Sequence, residues 1–353
     1  MSYSTKADWS RNMQIQEAIK TVIESTDLSR EQMQSVMQQI MTGESTPAQI
    51  GGLLVALRMK GETIQEITAA AEVMASLAET VDVDVPHLID IVGTGGDGIS
   101  TFNISTASSF VAAAAGASVA KHGNRSVSSQ SGSADLLEKA GAELNLNAQQ
   151  VAYVIERAGV GFMFAPMHHS AMKYAIGPRK EMAVRTIFNV LGPLTNPAGV
   201  KHQVVGVFAR ELTSTIAEVF AELGSKHTLV VHSDDGMDEI SISAATQVSE
   251  MKDGSVKTYS INPEDFGLSK SPIEELVVAD SGESLRMIER VFSGEKCAAR
   301  GAIVLNAGAG IYVSGLAGSL EEGIQQAQTA IDSGKAIASM QAYVQATNEA
   351  VDE

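Results

Sequence analysis

Only one cysteine, Cys297, stands in 353 residues. No disulfide can close within the chain, and a reducing compartment suits it. The opening "MSYSTKADWSRNMQIQEAIK" holds no apolar segment that could serve as a secretory leader. The longest stretch poor in polar groups, "SSFVAAAAGASVA", is alanine-rich and too short to span a bilayer. Basic residues are also scarce, 25 Lys and Arg against 42 Asp and Glu, for a formal net charge of −17. That balance argues against nucleic acid as a partner, which requires a basic surface. It does not exclude a small anionic substrate, because charges more than about 8 Å away are largely screened at physiological salt. Internal repeats and low-complexity tracts are absent. The expectation is a cytoplasmic protein with neither membrane nor nucleic-acid partners.

What the chain does contain falls into two grammars. The first 80 residues show helical spacing only: Ile15, Ala18, Ile19, Val22 and Ile23, then Met33, Val36, Met37, Ile40 and Met41. Ser29 and Gln32 form a capping-box pair, with Gly43 as a stop. Thr46-Pro47 opens a third helix that carries Ile50, Leu53, Leu54 and Leu57 to Gly61, and a fourth helix spans roughly residues 63 to 79. Such short, one-sided helices must bury their stripes on each other, on a second subunit, or on both.

After "VDVDVP" strands alternate with helices. "LIDIV", "ASVA", "GFMFAP", "QVVGVF" and "TLVVHS" read as strands, and "LTSTIAEVFAEL" as a helix between the last two. "TQVSEMKDGSVKTYSI" reads as a hairpin turning at Asp253-Gly254, "ARGAIVLNAG" as a late strand, and amphipathic helices close the chain. The fold class is therefore α/β, with a small all-helical amino-terminal domain and a mostly parallel central sheet covered by helices. Residues 1–85 are assigned to the helical domain and 86–353 to the α/β domain. Residues 168–200, rich in Gly, Pro and Asn toward their end, interrupt the alternation and are read as an excursion toward the helical domain or along a cleft rim.

The densest signal is "DIVGTGGDGISTFNIST", residues 90–106. Gly93, Gly95 and Gly98 satisfy G-x-G-x-x-G, so a dinucleotide loop has to be weighed. The acid that would hold an adenosine ribose is missing, however; Lys121 and His122 stand in its place. The surroundings favour a phosphorylated sugar instead. Asn103, Ser105 and Thr106 fall at a helix amino terminus, where free amides attract anions. Lys121 and Arg125 add charge beside Ser126, Ser128 and Ser129, and Ser133 is expected to cap a second helix there. Asp97 is left for sugar hydroxyls or a cation.

A second constellation, "VVHSDDGMDEIS", places four carboxylates between Asp234 and Glu239 after a strand. Oxygen ligands of this kind suit Mg²⁺ bridging substrate phosphates. Asp234 and Asp235 read better as an acidic surface turn.

Taken in order, "GTGGDGISTFNISTA", "KHGNRSVSSQSGSADLLEKAG", "GVGFMFAPMHHSAMK", "GPRKEMAVRTIFNVLGPLTNPAG", "GMDEIS" and "VLNAGAG" resemble the anthranilate phosphoribosyltransferases of tryptophan biosynthesis over nearly the whole chain. The resemblance implies transfer of the phosphoribosyl group of phosphoribosyl pyrophosphate to anthranilate, dependence on Mg²⁺, and a homodimer formed through the helical domain. It implies phosphoribosyl pyrophosphate positions at Gly93, Gly96, Asp97, Thr101, Asn103, Ile104, Ser105 and Thr106. The same role extends to Lys121, His122, Gly123, Asn124, Arg125, Ser126, Val127, Ser128, Ser129 and Ser133. Anthranilate positions are implied at Gly93, Asn124 and Arg179, and Mg²⁺ positions at Ser105, Asp238 and Glu239. No covalent nucleophile or obligate base is expected. The rival readings are a nucleoside phosphorylase, which shares the fold but carries an added carboxy-terminal domain, and a non-catalytic homologue that binds nucleic acid.

Overall fold

The computed structural model describes residues 13–125 and 131–351. In chain order come α1 (Ile15–Ile23), α2 (Arg30–Met41), α3 (Pro47–Lys60), α4 (Ile64–Ser76), β1 (Leu88–Gly93), α5 (Ile104–Ala114), β2 (Ser118–Gly123), α6 (Ser133–Lys139), α7 (Ala148–Ala158) and β3 (Val160–Phe164). Next follow α8 (Ala165–His168), α9 (Lys173–Met182), α10 (Phe188–Leu194), β4 (His202–Gly206), α11 (Leu212–Glu222), β5 (His227–Ser233), β6 (Thr246–Lys252) and β7 (Ser255–Ile261). The last four helices are α12 (Ser281–Phe292), α13 (Ala298–Val313), α14 (Leu320–Asp332) and α15 (Lys335–Glu349). No helix among the described residues is long and apolar enough to cross a membrane.

Two compact units result. One contains the chain up to Glu79 together with His169–Thr195; the other contains Thr80–His168 and Asn196 onward. In the helical unit the Ser29/Gln32 box caps α2, and Thr46, followed by Pro47 in the first turn, caps α3. The apolar stripes meet inside: Met33, Met37, Ile40, Ile50, Leu53, Leu54 and Leu57 are fully buried. Helices α9 and α10 belong to this packing, α9 against α2 and α3, and α10 against α4. Gly43, at φ +82°, sits so close to the Tyr174 ring that a Cβ there would overlap it.

The second unit is built on a seven-stranded sheet in the order β3-β2-β1-β4-β5-β6-β7. Strands β1 to β5 are parallel, and the β6–β7 hairpin adds two antiparallel strands. The hairpin turns at Asp253 (φ +50°) and Gly254 (φ +78°), a primed turn matched to the strand twist. Helices α5 and α13 pack on each other and on β1; α11 packs on β5, β6 and β7.

Two expectations are corrected. "ARGAIVLNAG" is no strand; it forms most of α13, whose residues are buried almost all round. An apolar run of this length with glycines spaced along it suits a helix enclosed on every side. Gly308 admits the backbone of Ile324 at 2.7 Å from where a Cβ would stand, and Gly310 admits the Ile91 side chain at 2.6 Å. Ser133 does not cap α6. Gly132 is the N-cap, its N–H donating to Asp135 (2.9 Å), and Ser133 is the first helical residue.

Away from the strand carboxyl ends, Glu250 on β6 accepts hydrogen bonds from Tyr259 (3.0 Å) and Tyr312 (2.9 Å), with His227 Nε2 2.8 Å from its carboxylate. The His227 bond, then those from the two tyrosines, holds the Glu250 carboxyl down at about 2 from the ordinary 4.5, against the opposing effect of burial. A depressed carboxyl stabilises the fold above its unfolded pKa, and that contribution is lost as pH falls toward the folded value. Acid unfolding should therefore steepen between pH 4.5 and about 2. Glu250→Gln should flatten that limb in thermal melts and lower the melting temperature at neutral pH.

Candidate active site

Strand order reverses at β1, with β2 on one side and β4 on the other, so the crevice beyond the carboxyl ends of β1 and β4 is where an open α/β sheet receives ligands. Gly93 and Gly206 are register partners at that point. Both lack a side chain because the loop after β5 presses onto them. A Cβ on Gly206 would overlap the Asp238 carbonyl, and one on Gly93 would overlap the Asp238 carboxylate. Beyond β1 the chain turns through Gly95, Gly96 and Gly98 at φ +67°, +78° and +81°. This turn aims the Gly95 N–H at Asp238 Oδ2 (2.7 Å).

The crevice concentrates acid. Asp97 accepts from the Ile99 N–H (3.1 Å) and is hydrogen-bonded to both the backbone and the carboxyl of Asp238. Burial, followed by the neighbouring Asp97 charge, pushes the Asp238 carboxyl up to about 7. Burial and then Asp238 push Glu239 upward, partly offset by Lys121 and by the backbone N–H of Ser105. Lys121 is 2% exposed; its ammonium donates to the Ile91 carbonyl (2.6 Å) and to Ser105 Oγ (3.2 Å). Burial pulls its pKa down, while Asp90, Glu239 and Asp238 hold it up. Asp97, Ser105, Lys121, Asp238 and Glu239 thus form one electrostatic cluster around the end of β1.

Among the described residues no three His, Cys, Asp or Glu side chains form a ready-made metal cage. Mg²⁺ seldom requires one, since it keeps waters and takes one or two carboxylates plus substrate phosphates. Acids whose protonation is favoured by burial and mutual repulsion fit such a cation, which would restore both as carboxylates.

Other expected residues occupy their own positions. Asn103 commits its side chain internally: Oδ1 accepts from Ser131 Oγ and Ser284 Oγ (both 2.7 Å), and Nδ2 donates to the Ser131 carbonyl (3.1 Å). Thr106 Oγ1 donates to Ser133 Oγ (3.1 Å), joining the first turns of α5 and α6. Ile104 is buried as the first residue of α5, and Thr101 forms an isolated bridge with Val277. His122 is buried on β2; Gly123, ending that strand, leaves room for the Phe162 ring. Asn124 is exposed and accepts from the Arg125 N–H (2.7 Å). Arg125 turns to α6, pairing with Glu138 and with Asp135 (3.2 Å), its guanidinium 5.5 Å over the Phe164 ring. Ser126, Val127, Ser128 and Ser129 lie outside the described residues.

Asp234 is exposed and pairs with Arg210, while Asp235 is half-buried and accepts from Ser233 and from Ser241 Oγ (2.6 Å). In the helical unit, Arg179 on α9 stacks 5.3 Å over the Phe188 ring. Burial alone lowers its pKa, with no acid contributing.

Sequence reasoning missed three polar residues behind the site. Asp90, fully buried on β1, faces the Lys121 charge and accepts from Asn196 Nδ2 (2.7 Å), which also donates to the Ala120 carbonyl (2.9 Å). Ser284 on α12 holds Asn103, donating from its hydroxyl and accepting from the Asn103 N–H (3.0 Å). A charged residue inside the apolar strand "LIDIV" was the available signal for Asp90; Ser284 had none.

Comparison with known proteins matches residues 85–337 to the glycosyl transferase family a/b domain and residues 16–78 to the helical bundle domain of the same family. An anthranilate phosphoribosyltransferase of Marinomonas sp. (strain MWYL1) is 58% identical, over 92% of this chain and 94% of its own length. The crystal structure of the Thermus thermophilus anthranilate phosphoribosyltransferase superposes with a TM-score of 0.89 at 42% identity, covering 94% of this chain and 99% of that one. The Saccharomyces cerevisiae enzyme in complex with PRPP and Mg superposes at 0.87 with 27% identity, over 95% and 98% of the two chains.

A raised carboxyl favours the folded state while protonated, and that advantage is lost as pH climbs from the ordinary 3.8 through about 7. In the presence of a chelator, Asp238→Asn should therefore melt several degrees above the parent at pH 8. The difference should shrink toward pH 4; equal melting temperatures throughout would contradict the acid-pair description.

Proposed function

Since the chain belongs to the anthranilate phosphoribosyltransferase family, we propose that the crevice at β1 and β4 is where it joins phosphoribosyl pyrophosphate to anthranilate. The reaction forms a bond between the anthranilate amine and the anomeric carbon of the ribose, breaks the bond to pyrophosphate, and releases pyrophosphate together with the one proton the amine gives up. The observation carrying the site assignment is the meeting of Lys121, Ser105 and the Asp97–Asp238–Glu239 acids at the strand switch point.

An aromatic amine is unprotonated near neutral pH, so the chain needs no base to make it a nucleophile. What remains is to bind, align and stabilise departing charge. The residues proposed to hold Mg²⁺ are Ser105, Asp238 and Glu239, and the ion when bound acts as a Lewis acid on the pyrophosphate, worth several kcal/mol. Lys121 supplies a fixed positive charge to the phosphates, and the first turn of α5 supplies amides. Asp97 receives ribose hydroxyls. Gly93 and Asn124 border the aromatic acid. Arg125, on ligand binding, exchanges Glu138 and Asp135 for substrate phosphate. Holding amine and anomeric carbon in line contributes roughly 7–11 kcal/mol, leaving electrostatic preorganisation as the other main term.

Arg179 is assigned to the anthranilate carboxylate. Its guanidinium is partly desolvated with no acid offsetting that cost, and its planar fork suits a carboxylate. Arg179→Ala should raise the anthranilate KM about 10- to 100-fold, the value of a charge-assisted bond. The KM for phosphoribosyl pyrophosphate should move far less. The reaction itself is read from the loss of anthranilate fluorescence on mixing protein, Mg²⁺ and phosphoribosyl pyrophosphate; no loss would defeat the functional reading.

We further propose a homodimer formed through the helical unit, working in the cytoplasm, as a lone cysteine suits. Ile23 on α1 and Met59 on α3 are 67% and 83% exposed, and Val55, one turn before Met59 on α3, is exposed as well. Apolar residues gathered on neighbouring helices are the kind of surface a second copy covers. Ile23→Lys combined with Met59→Glu should convert the protein to monomer in sedimentation velocity; an unchanged sedimentation coefficient would remove this face from the interface.

A further inference from the structure

The "VLNAGAG" stretch has no assigned role in the reaction, yet its asparagine reaches the acidic loop. Asn306 is fully buried on α13, a helix whose other core positions are apolar or glycine. Its Oδ1 accepts from the Ile240 N–H (2.9 Å), and its Nδ2 donates to the Ile240 carbonyl (2.9 Å). The second Nδ2 hydrogen goes to the Ala302 carbonyl one turn earlier (2.9 Å). Both donors and the acceptor are therefore used, and two of the three bonds grip one peptide residue in the way a neighbouring strand would. That residue directly follows Asp238 and Glu239.

The helix behind Asn306 is itself held tightly. Gly308 and Gly323 bring α13 and α14 into backbone contact, and Gly310 seats α13 on Ile89 and Ile91 of β1. Opposite, the same acidic loop rests on Gly93 and Gly206. The loop is thus pinned from two sides, by glycine contact at the sheet and by an amide clamp from the helix. Helix packing alone would be served by leucine at position 306. Only the loop backbone requires a side chain that both donates and accepts.

We infer that Asn306 is a positioning residue which fixes the Asp238–Glu239 backbone so that the two carboxylates meet Mg²⁺ and the pyrophosphate in one geometry. The inference rests on the proposed Mg²⁺ role of those acids. Asn306→Leu removes the clamp while filling its volume, and Asn306→Ser shortens it. Mn²⁺ binding to each variant in the presence of phosphoribosyl pyrophosphate, without anthranilate, is followed by electron paramagnetic resonance. The Mg²⁺ concentration giving half-maximal rate, the anthranilate KM and the melting temperature are measured alongside.

The expected result is a 10- to 100-fold loss of Mn²⁺ affinity, the usual effect of removing a partner that orients metal ligands. The Mg²⁺ requirement should rise in parallel, with the anthranilate KM within about twofold, as expected of a group that acts on the metal ligands alone. A lower melting temperature with unchanged Mn²⁺ affinity, or failure of both variants to fold, would assign Asn306 to stability alone and overturn the inference. Asp238→Asn with Glu239→Gln separates the two layers. Normal Mn²⁺ binding in that double variant defeats the metal assignment itself, whereas loss there with none in the Asn306 variants defeats only the clamp.

Discussion

The interaction on which the site depends is a contact that side chains would forbid. At the switch point of the sheet, Gly93 and Gly206 lie in register, and the Asp238 backbone and carboxylate occupy the space two Cβ atoms would fill. This contact lets an acidic loop from the end of β5 reach the first βα turn. The Gly95 N–H then fixes the Asp238 carboxylate, and Asp97 is carried alongside. The glycine-dense loop is thus shaped as much by its own protein's carboxylate as by any ligand. Asp97, which first looks misplaced among phosphate-binding glycines, is one half of an acid pair.

The electrostatics follow from that closeness. Buried carboxylates side by side resist ionising, so without a cation the crevice favours bound protons. Lys121 offsets part of this, but its ammonium is also engaged by the Ile91 carbonyl and opposed across the strand by Asp90. Asp238 and Glu239 are the acids proposed to hold Mg²⁺, whereas Asp90, bonded to Asn196, faces the lysine. A protein with a net charge of −17 can bind a multiply anionic substrate because only a few fixed charges act inside the crevice. Arg125, at an exposed position, is tied to Glu138 and Asp135, pairs that contribute little stability there.

Much of this was legible in the sequence. Capping residues and apolar stripes marked α2 and α3, and alternating strands and helices marked the parallel sheet. The Asp253-Gly254 turn marked the hairpin, and the glycines, lysine and acids marked the crevice. What escaped had physical reasons. The run "ARGAIVLNAG" is apolar on every face, so periodicity could not separate buried helix from buried strand. Ser133 has a cap's chemistry, but the turn places Gly132 at the boundary, one residue earlier. Asn103 and Arg125 have the right side chains for a ligand, and no local pattern reports the partners they have in this structure, Ser131 and Ser284 for one and the α6 acids Asp135 and Glu138 for the other. Asn306 and Ser284 act across separations of 66 and 181 residues, which no local pattern reports.

The helical unit is assembled from two stretches of chain, one ending at Glu79 and the other running from His169 to Thr195. Where the chain leaves the first and returns from the second, the Val81 N–H donates to the Pro197 carbonyl (3.1 Å). During synthesis from the amino end, α1 to α4 are made long before α9 and α10, which complete their packing. The sheet waits as well, because β1 gains its second neighbour, the central strand β4, only when residues 202–206 are made. The helical unit is thus completed by a stretch in the middle of the chain, and the α/β unit only later, when β5 to β7 and α11 to α15 are made. A nascent chain short of that stretch carries two unfinished cores at once, with apolar helix faces and a strand edge uncovered, the condition in which a growing polypeptide most requires a chaperone.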